Sequence, residues 1–155
     1  MSCTKLFYAF FEPIAAAVEG VKTVHQSGGD KMDRLLAASS SDDIYPAVFA
    51  LRPKYALEDN GADNVLAWFD STYYVICRGE MGQEELEDAA FDESERIALG
   101  ISLSIRKNHG LTCLVDPSTK IFMEPITMIT LEASYGYEVR IRVGLMANSI
   151  IYADV

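Results

Sequence analysis

The chain is 155 residues long, half of them hydrophobic and 23% charged, which excludes disordered, collagen-like and disulfide-scaffold classes. With 23 acids against 13 Lys and Arg residues the formal charge is −10, a balance that repels phosphate backbones and argues against specific nucleic-acid binding. The length fits one domain spanning 1–155, and the chain carries no internal repeat or low-complexity linker.

The first element is predicted as a helix over Thr4 to Gln26. Leu6, Phe7, Phe10, Phe11, Ile14, Ala17, Val18, Val21 and Val24 recur at spacings of three and four. Pro13 is expected to kink it or to mark a break near Glu12, and Ser27-Gly28-Gly29 to end it. Leu6 to Val18 is apolar, but Glu12 and Pro13 interrupt it and only Lys5 precedes it, unlike a signal peptide. No apolar run reaches the roughly 18 residues of a membrane span. The chain therefore reads as soluble and unprocessed. Asp30 caps a predicted short helix over Lys31 to Ala38, followed by polar residues Ser39 to Asp43.

Strands follow. Ile44 to Leu51 is apolar and ends at Arg52-Pro53, and Tyr55 to Leu57 is a short extension closed by a turn at Glu58 to Gly61. Val65 to Arg78 is a long strand whose apolar residues fill both alternation phases, so part of it is expected to be covered on both faces.

Gln83 to Lys107 forms the second long helix. Leu86, Ala90, Ile97, Ile101 and Ile105 make its stripe, Ser94 sits in the seam, and acids at the start and bases at the end complement the dipole. Asn108-His109-Gly110 stops it. Leu111 to Val115 is a short strand. Ile121 to Leu131 is a strand broken at Glu124-Pro125, which suggests an edge or a bulge. Ser134-Tyr135-Gly136 is predicted as a turn into a strand with Tyr137, Val139, Ile141 and Val143 on one face and Glu138, Arg140 and Arg142 on the other. Ser149 to Tyr152 adds a last short strand. The order implies an α+β fold, a mostly antiparallel sheet with two long helices packed on one face.

Chemical motifs are absent. Cys3, Cys77 and Cys113 are an odd number without metal spacing, and the last two sit in apolar runs as small buried hydrophobes, which points to a reducing, cytoplasmic origin. His25 lies at the end of the first predicted helix and His109 follows the second, positions that the dipole favours. Neither shares an element with acids spaced for a metal site. There is no nucleophile elbow, phosphate loop or dinucleotide fingerprint, and Ser102 and Ser104 lie inside the second helix. No cofactor, metal or catalytic residue is assigned. Trp68, Phe69, Tyr73 and Tyr74 serve either as core or as a ligand platform. The acidic stretch Glu80 to Glu95 lacks the alternating ligands of a calcium loop and reads as a solvated helix face.

Taken together, the strand entering at Tyr45-Pro46-Ala47-Val48-Phe49, the acidic linker into helix Gln83 to Lys107, the Glu124 to Ile126 strand and the segment Tyr135-Gly136-Tyr137-Glu138-Val139 follow a recognisable order. From about Phe7 to Tyr152 that order resembles the tail terminator, or tail-completion, proteins of tailed bacteriophages. The resemblance implies a non-enzymatic subunit forming a ring, often a hexamer, at the head-proximal end of the tail tube. Its place is the virion, and the host cytoplasm during assembly; its partners are copies of itself and other tail or neck proteins. The short helix at Lys31 to Ala38 and the break at Pro13 depart from the pattern and leave a neck or head-closure role open. An acidic ring lumen repels DNA, so Glu80, Glu84, Glu85, Glu87 and Asp88 are candidates for the lumen or rim. The first helix and the sheet edges are candidate contacts between subunits. The alternatives are a soluble ligand- or protein-binding module using the Trp68 to Tyr74 group, and an enzyme with a site assembled from separated residues such as His25 or His109.

Overall fold

A computed structural model describes residues 1–27, 44–80, 82–110, 113–116, 120–129 and 133–152. The predicted helix Lys31 to Ala38, its cap Asp30 and the polar stretch 39–43 lie outside them. The described elements are, in order, α1 (Cys3–Ala16), β1 (Thr23–Ser27), β2 (Ala47–Leu51), β3 (Lys54–Asp59), β4 (Val65–Arg78), α2 (Glu84–Lys107), β5 (Leu114–Val115), β6 (Phe122–Ile129), β7 (Ala133–Met146) and α3 (Asn148–Ile151). The fold is α+β, as the sequence order implies.

The spine of the sheet is the antiparallel pair β4–β7, in which residues 66–78 face residues 146–134 in unbroken register. Each side of this spine carries two short strands end to end. β2 and β3 both pair with β4, while β6 and β5 both pair with β7. β1 extends the sheet beyond β2 as its one parallel pair among the described strands.

Alternation on β4 explains the layering. Val65, Ala67, Phe69, Ser71, Tyr73, Val75 and Cys77 are buried and point to the helices, whereas Leu66, Trp68, Thr72 and Tyr74 on the other face are only half-buried. Near its end Val75, Ile76 and Cys77 are all buried, so coverage of both faces is real but confined to that end. Phe7 stacks on Phe11 and tilts onto Phe69, Phe11 packs on Tyr73, and Ile97, Ile101 and Ile105 of α2 complete the same core. The Tyr73 hydroxyl crosses to α2, bonding the Ala98 carbonyl at 3.0 Å and the Ser102 hydroxyl at 2.8 Å. Both long helices therefore cover one face.

Several local expectations are corrected. The first helix ends at Ala16, not at Gln26, and residues 23–27 are a strand. Pro13 lies inside α1 without ending it; its missing N–H removes one bond and the helix closes a turn later, with Ala17 N–H donating to the Pro13 carbonyl. The reversal is set at Gly20, whose φ is +95°; a Cβ there would fall 2.8 Å from Arg96 Nη2. Arg96 in turn donates to the Glu19 carbonyl at 2.7 Å.

Ser134-Tyr135-Gly136 is no turn: it lies within β7, opposite Arg78, Cys77 and Ile76. Residues 148–151 form a helical turn instead of a strand, because Asn148 Oδ1 accepts from Val65 N–H while its Nδ2 donates to the Asp63 carbonyl. Leu86, predicted in the buried stripe of α2, is exposed. β6, finally, runs unbroken through Pro125; paired with β7 alone among the described strands, it is an edge strand that needs no N–H there, which answers the edge-or-bulge alternative.

Candidate interaction surfaces

α2 starts where β4 leaves the sheet, so the acidic linker and the first two turns of the helix gather at one pole. Glu80, Glu84, Glu85 and Asp88 are exposed there. Glu87 behaves differently. It is half-buried, accepts a 2.9 Å bond from the Tyr135 hydroxyl and receives the Gly82 N–H at 3.2 Å. Burial together with this bond holds the Tyr135 phenol above its ordinary range. Of the five lumen or rim candidates, four present carboxylates to solvent and Glu87 ties the helix start to β7.

Beside this pole lies an open cavity of about 550 Å³, lined by Tyr45, Pro46, Cys77, Arg78, Glu80 and Glu93 among others. Burial pushes the Cys77 thiol up to about 12, with Glu93 adding to the shift and Arg96 opposing it, which disfavours the thiolate at neutral pH. Glu93 is held below the usual carboxylate range by hydrogen bonds from Arg96.

The aromatic group that sequence offered as core or platform is divided between the two faces. Phe69 and Tyr73 are fully buried under the helices. Trp68 and Tyr74 lie half-buried on the opposite face, Tyr74 packed against the buried Tyr45, Phe49 and Ile76; there the Arg142 guanidinium sits 5.1 Å from the centre of the Trp68 ring, the Trp68 Nε1–H donates to Glu58 Oε2 and the Tyr74 hydroxyl donates to Glu138. Arg142 also approaches Asp70 and Asp116, and Arg140 approaches Glu124 and Glu138, giving that face a lattice of exposed ion pairs. These four aromatic side chains form no single platform.

His25 is in β1, stacked on Phe49 at 5.1 Å, and not at a helix end. His109 does follow α2, capped by Asn108. The two histidines belong to different elements, and no group of three or more metal-ligating side chains occurs among the described residues. Ser102 is committed to Tyr73. Cys77 and Cys113 are free and buried, as expected, and so is Cys3.

Three uncovered apolar surfaces were not anticipated. Leu99 and Leu103, 44% and 57% exposed, lie one turn apart on the outward side of α2. Leu114 and Met146 are exposed at the far end of the bare sheet face, flanking the strip where Trp68 and Gly144 face each other. Tyr55 and Leu57, 47% and 49% exposed, sit on β3, where all six residues are exposed. The leucines were discoverable: they stand about 160–200° around the helix from the buried stripe. Among the described residues no helix is long and apolar enough to cross a membrane. No model of a known protein family matches the chain, and no curated protein sequence matches it.

Proposed function

We propose that the chain is a ring-forming structural subunit of a tailed-phage particle, a tail terminator or neck subunit that caps a tail tube and joins it to the head. One observation carries this reading: two unlike apolar patches on opposite sides of the molecule. Leu99 and Leu103 face out from the helical layer, and Leu114 and Met146 from the bare sheet. Unlike patches that bind each other make a head-to-tail contact, and repetition of such a contact closes a ring when the rotation permits. The acidic pole at Glu80, Glu84, Glu85 and Asp88 supplies a wall that repels phosphate, as a conduit for DNA needs. Its place is then the assembled virion, reached from the host cytoplasm.

Native mass spectrometry with negative-stain imaging tests the reading. Closed rings are expected, and Leu103→Glu disperses them without changing the melting temperature, since that side chain is more than half exposed. A protein that forms no ring at any concentration, and does not bind purified tail tubes, overturns it. A second reading, a ligand- or protein-binding module, is favoured by the 550 Å³ cavity beside Tyr45 and Cys77; stabilisation of a monomer by a small molecule in a thermal-shift screen supports that one.

A further inference from the structure

β3 is an edge strand protected only by charge, at Lys54, Glu58 and Asp59. Natural sheets also blunt their edges with proline, bulges or very short strands. On the opposite side of this sheet β6 carries Pro125, and β5 is two residues long. β3 pairs with β4 in unbroken register from Lys54 to Asp59, contains no proline, and offers its other edge to solvent over all six residues.

The pattern along that edge is self-complementary. Residues opposite Asp70, Trp68 and Leu66 lie on the bare face, which places Lys54, Ala56 and Glu58 there. Tyr55 and Leu57, opposite Phe69 and Ala67, lie on the core face. An antiparallel copy of the strand with Ala56 on the two-fold axis sets Lys54 against the second copy's Glu58 twice. The same register sets Tyr55 against Leu57 twice. Opposite charges meet on one face and exposed apolar side chains on the other, both arrangements that stabilise cross-strand pairs. A register shifted by one residue loses this match, because it brings together side chains from opposite faces. Glu58 is already held on the bare face by the 2.6 Å bond from Trp68 Nε1. Lys54 has no acidic partner within ion-pair distance among the described residues.

We infer that β3 is a docking edge for a second copy of this chain, joined antiparallel about Ala56 into one continuous sheet through a two-fold dimer. This contact is isologous, so it differs from the head-to-tail contact of the ring and does not depend on that reading.

Disulfide trapping of Ala56→Cys tests it. Residues directly opposite across an antiparallel pair have Cα atoms about 4.5–5.5 Å apart, within disulfide reach, whereas diagonal neighbours are about 7–8 Å apart. The three native cysteines are buried and do not compete. Ala56→Cys is expected to crosslink to a dimer under mild oxidation, and Leu57→Cys, which faces Tyr55 and not itself, to crosslink at least about tenfold more slowly. In parallel, sedimentation of Glu58→Lys is expected to show a dimer dissociation constant raised about tenfold, from two Lys–Lys oppositions. The Lys54→Glu/Glu58→Lys double variant should recover most of that loss.

A parent protein that stays monomeric at high concentration, or equal trapping at positions 56 and 57, overturns the inference whether or not rings form. A dimer insensitive to both charge variants does the same. Rings without β3 trapping leave the ring reading standing and remove this one.

Discussion

Gly136→Ala separates a strand glycine from a turn glycine. Gly136 lies within β7 with Ile76 of β4 and Ile126 of β6 as its register partners. Its φ is not among the positive values found at Gly20, Gly61, Gly82 and Gly110, so alanine meets no conformational objection. The objection is contact. A Cβ there falls 1.9 Å from the Val75 carbonyl oxygen, 2.9 Å from the Val75 carbonyl carbon and 3.0 Å from Ile76 Cα. All three are backbone atoms of the central strand, so no side chain can swing aside and the β4–β7 spine itself must shift. Overpacking a core costs about 1–3 kcal/mol, and a backbone collision belongs at the top of that range or above it. For a chain of this size ~3 kcal/mol corresponds to a melting temperature lower by about 6–12 °C. A glycine in an open turn at negative φ would instead change stability by less than about 1 kcal/mol on gaining a methyl group. Thermal unfolding followed by circular dichroism decides between them. A variant that melts within about 2 °C of the parent refutes the strand assignment and the packing argument together.

Other expectations follow from single contacts. Tyr73→Phe removes a fully buried hydroxyl bonded to Ala98 and Ser102, and is expected to lower unfolding free energy by about 1–2 kcal/mol in urea titrations. Arg96→Ala frees the Glu19 carbonyl at the α1–β1 reversal, and faster amide exchange around Gly20 is expected by hydrogen-exchange measurement. The Cys77 thiol keeps its proton up to about 12 in the folded chain and only to its ordinary value when unfolded. Its contribution is thus complete below the ordinary thiol range and lost as pH rises from there to about 12. Cys77→Ala is expected to flatten part of the alkaline decline of the urea midpoint, and an unchanged decline would contradict the assignment.

Legibility in the sequence tracked how local each determinant is. β4 and α2 were readable nearly to the residue because their signals, a β-rich apolar run and a long stripe with dipole-matched ends, are carried by consecutive residues. The α1–β1 boundary was not. Val18, Val21 and Val24 continue the helical spacing past Ala16, and what breaks it is Gly20 together with Arg96, 76 residues away in the chain. Gly136 misled for a similar reason: a glycine between two tyrosines reads as a turn until the Val75 carbonyl on a neighbouring strand is known. The run Trp68 to Tyr74 announced its aromatic content, but which pair would be buried depended on where α1 and α2 landed. The acidic pole was visible at once; that Glu87 alone of its five candidates serves Tyr135 was not.

The register of the spine also dictates when this protein can fold on the ribosome. β4 is complete at residue 78, yet its principal partner begins at residue 133, and Asn148, which ties down the Val65 amide, comes later still. At ~5–20 residues per second the interval between residue 78 and residue 148 lasts about 4–14 s. Through that interval β4 has only its upstream neighbours β2 and β3 to pair with, and the hairpin with β3 forms within about 1–10 µs of emergence. The β4–β7 spine can therefore close only after the last strand has been made, so the longest ladder of the sheet is also the last to become available.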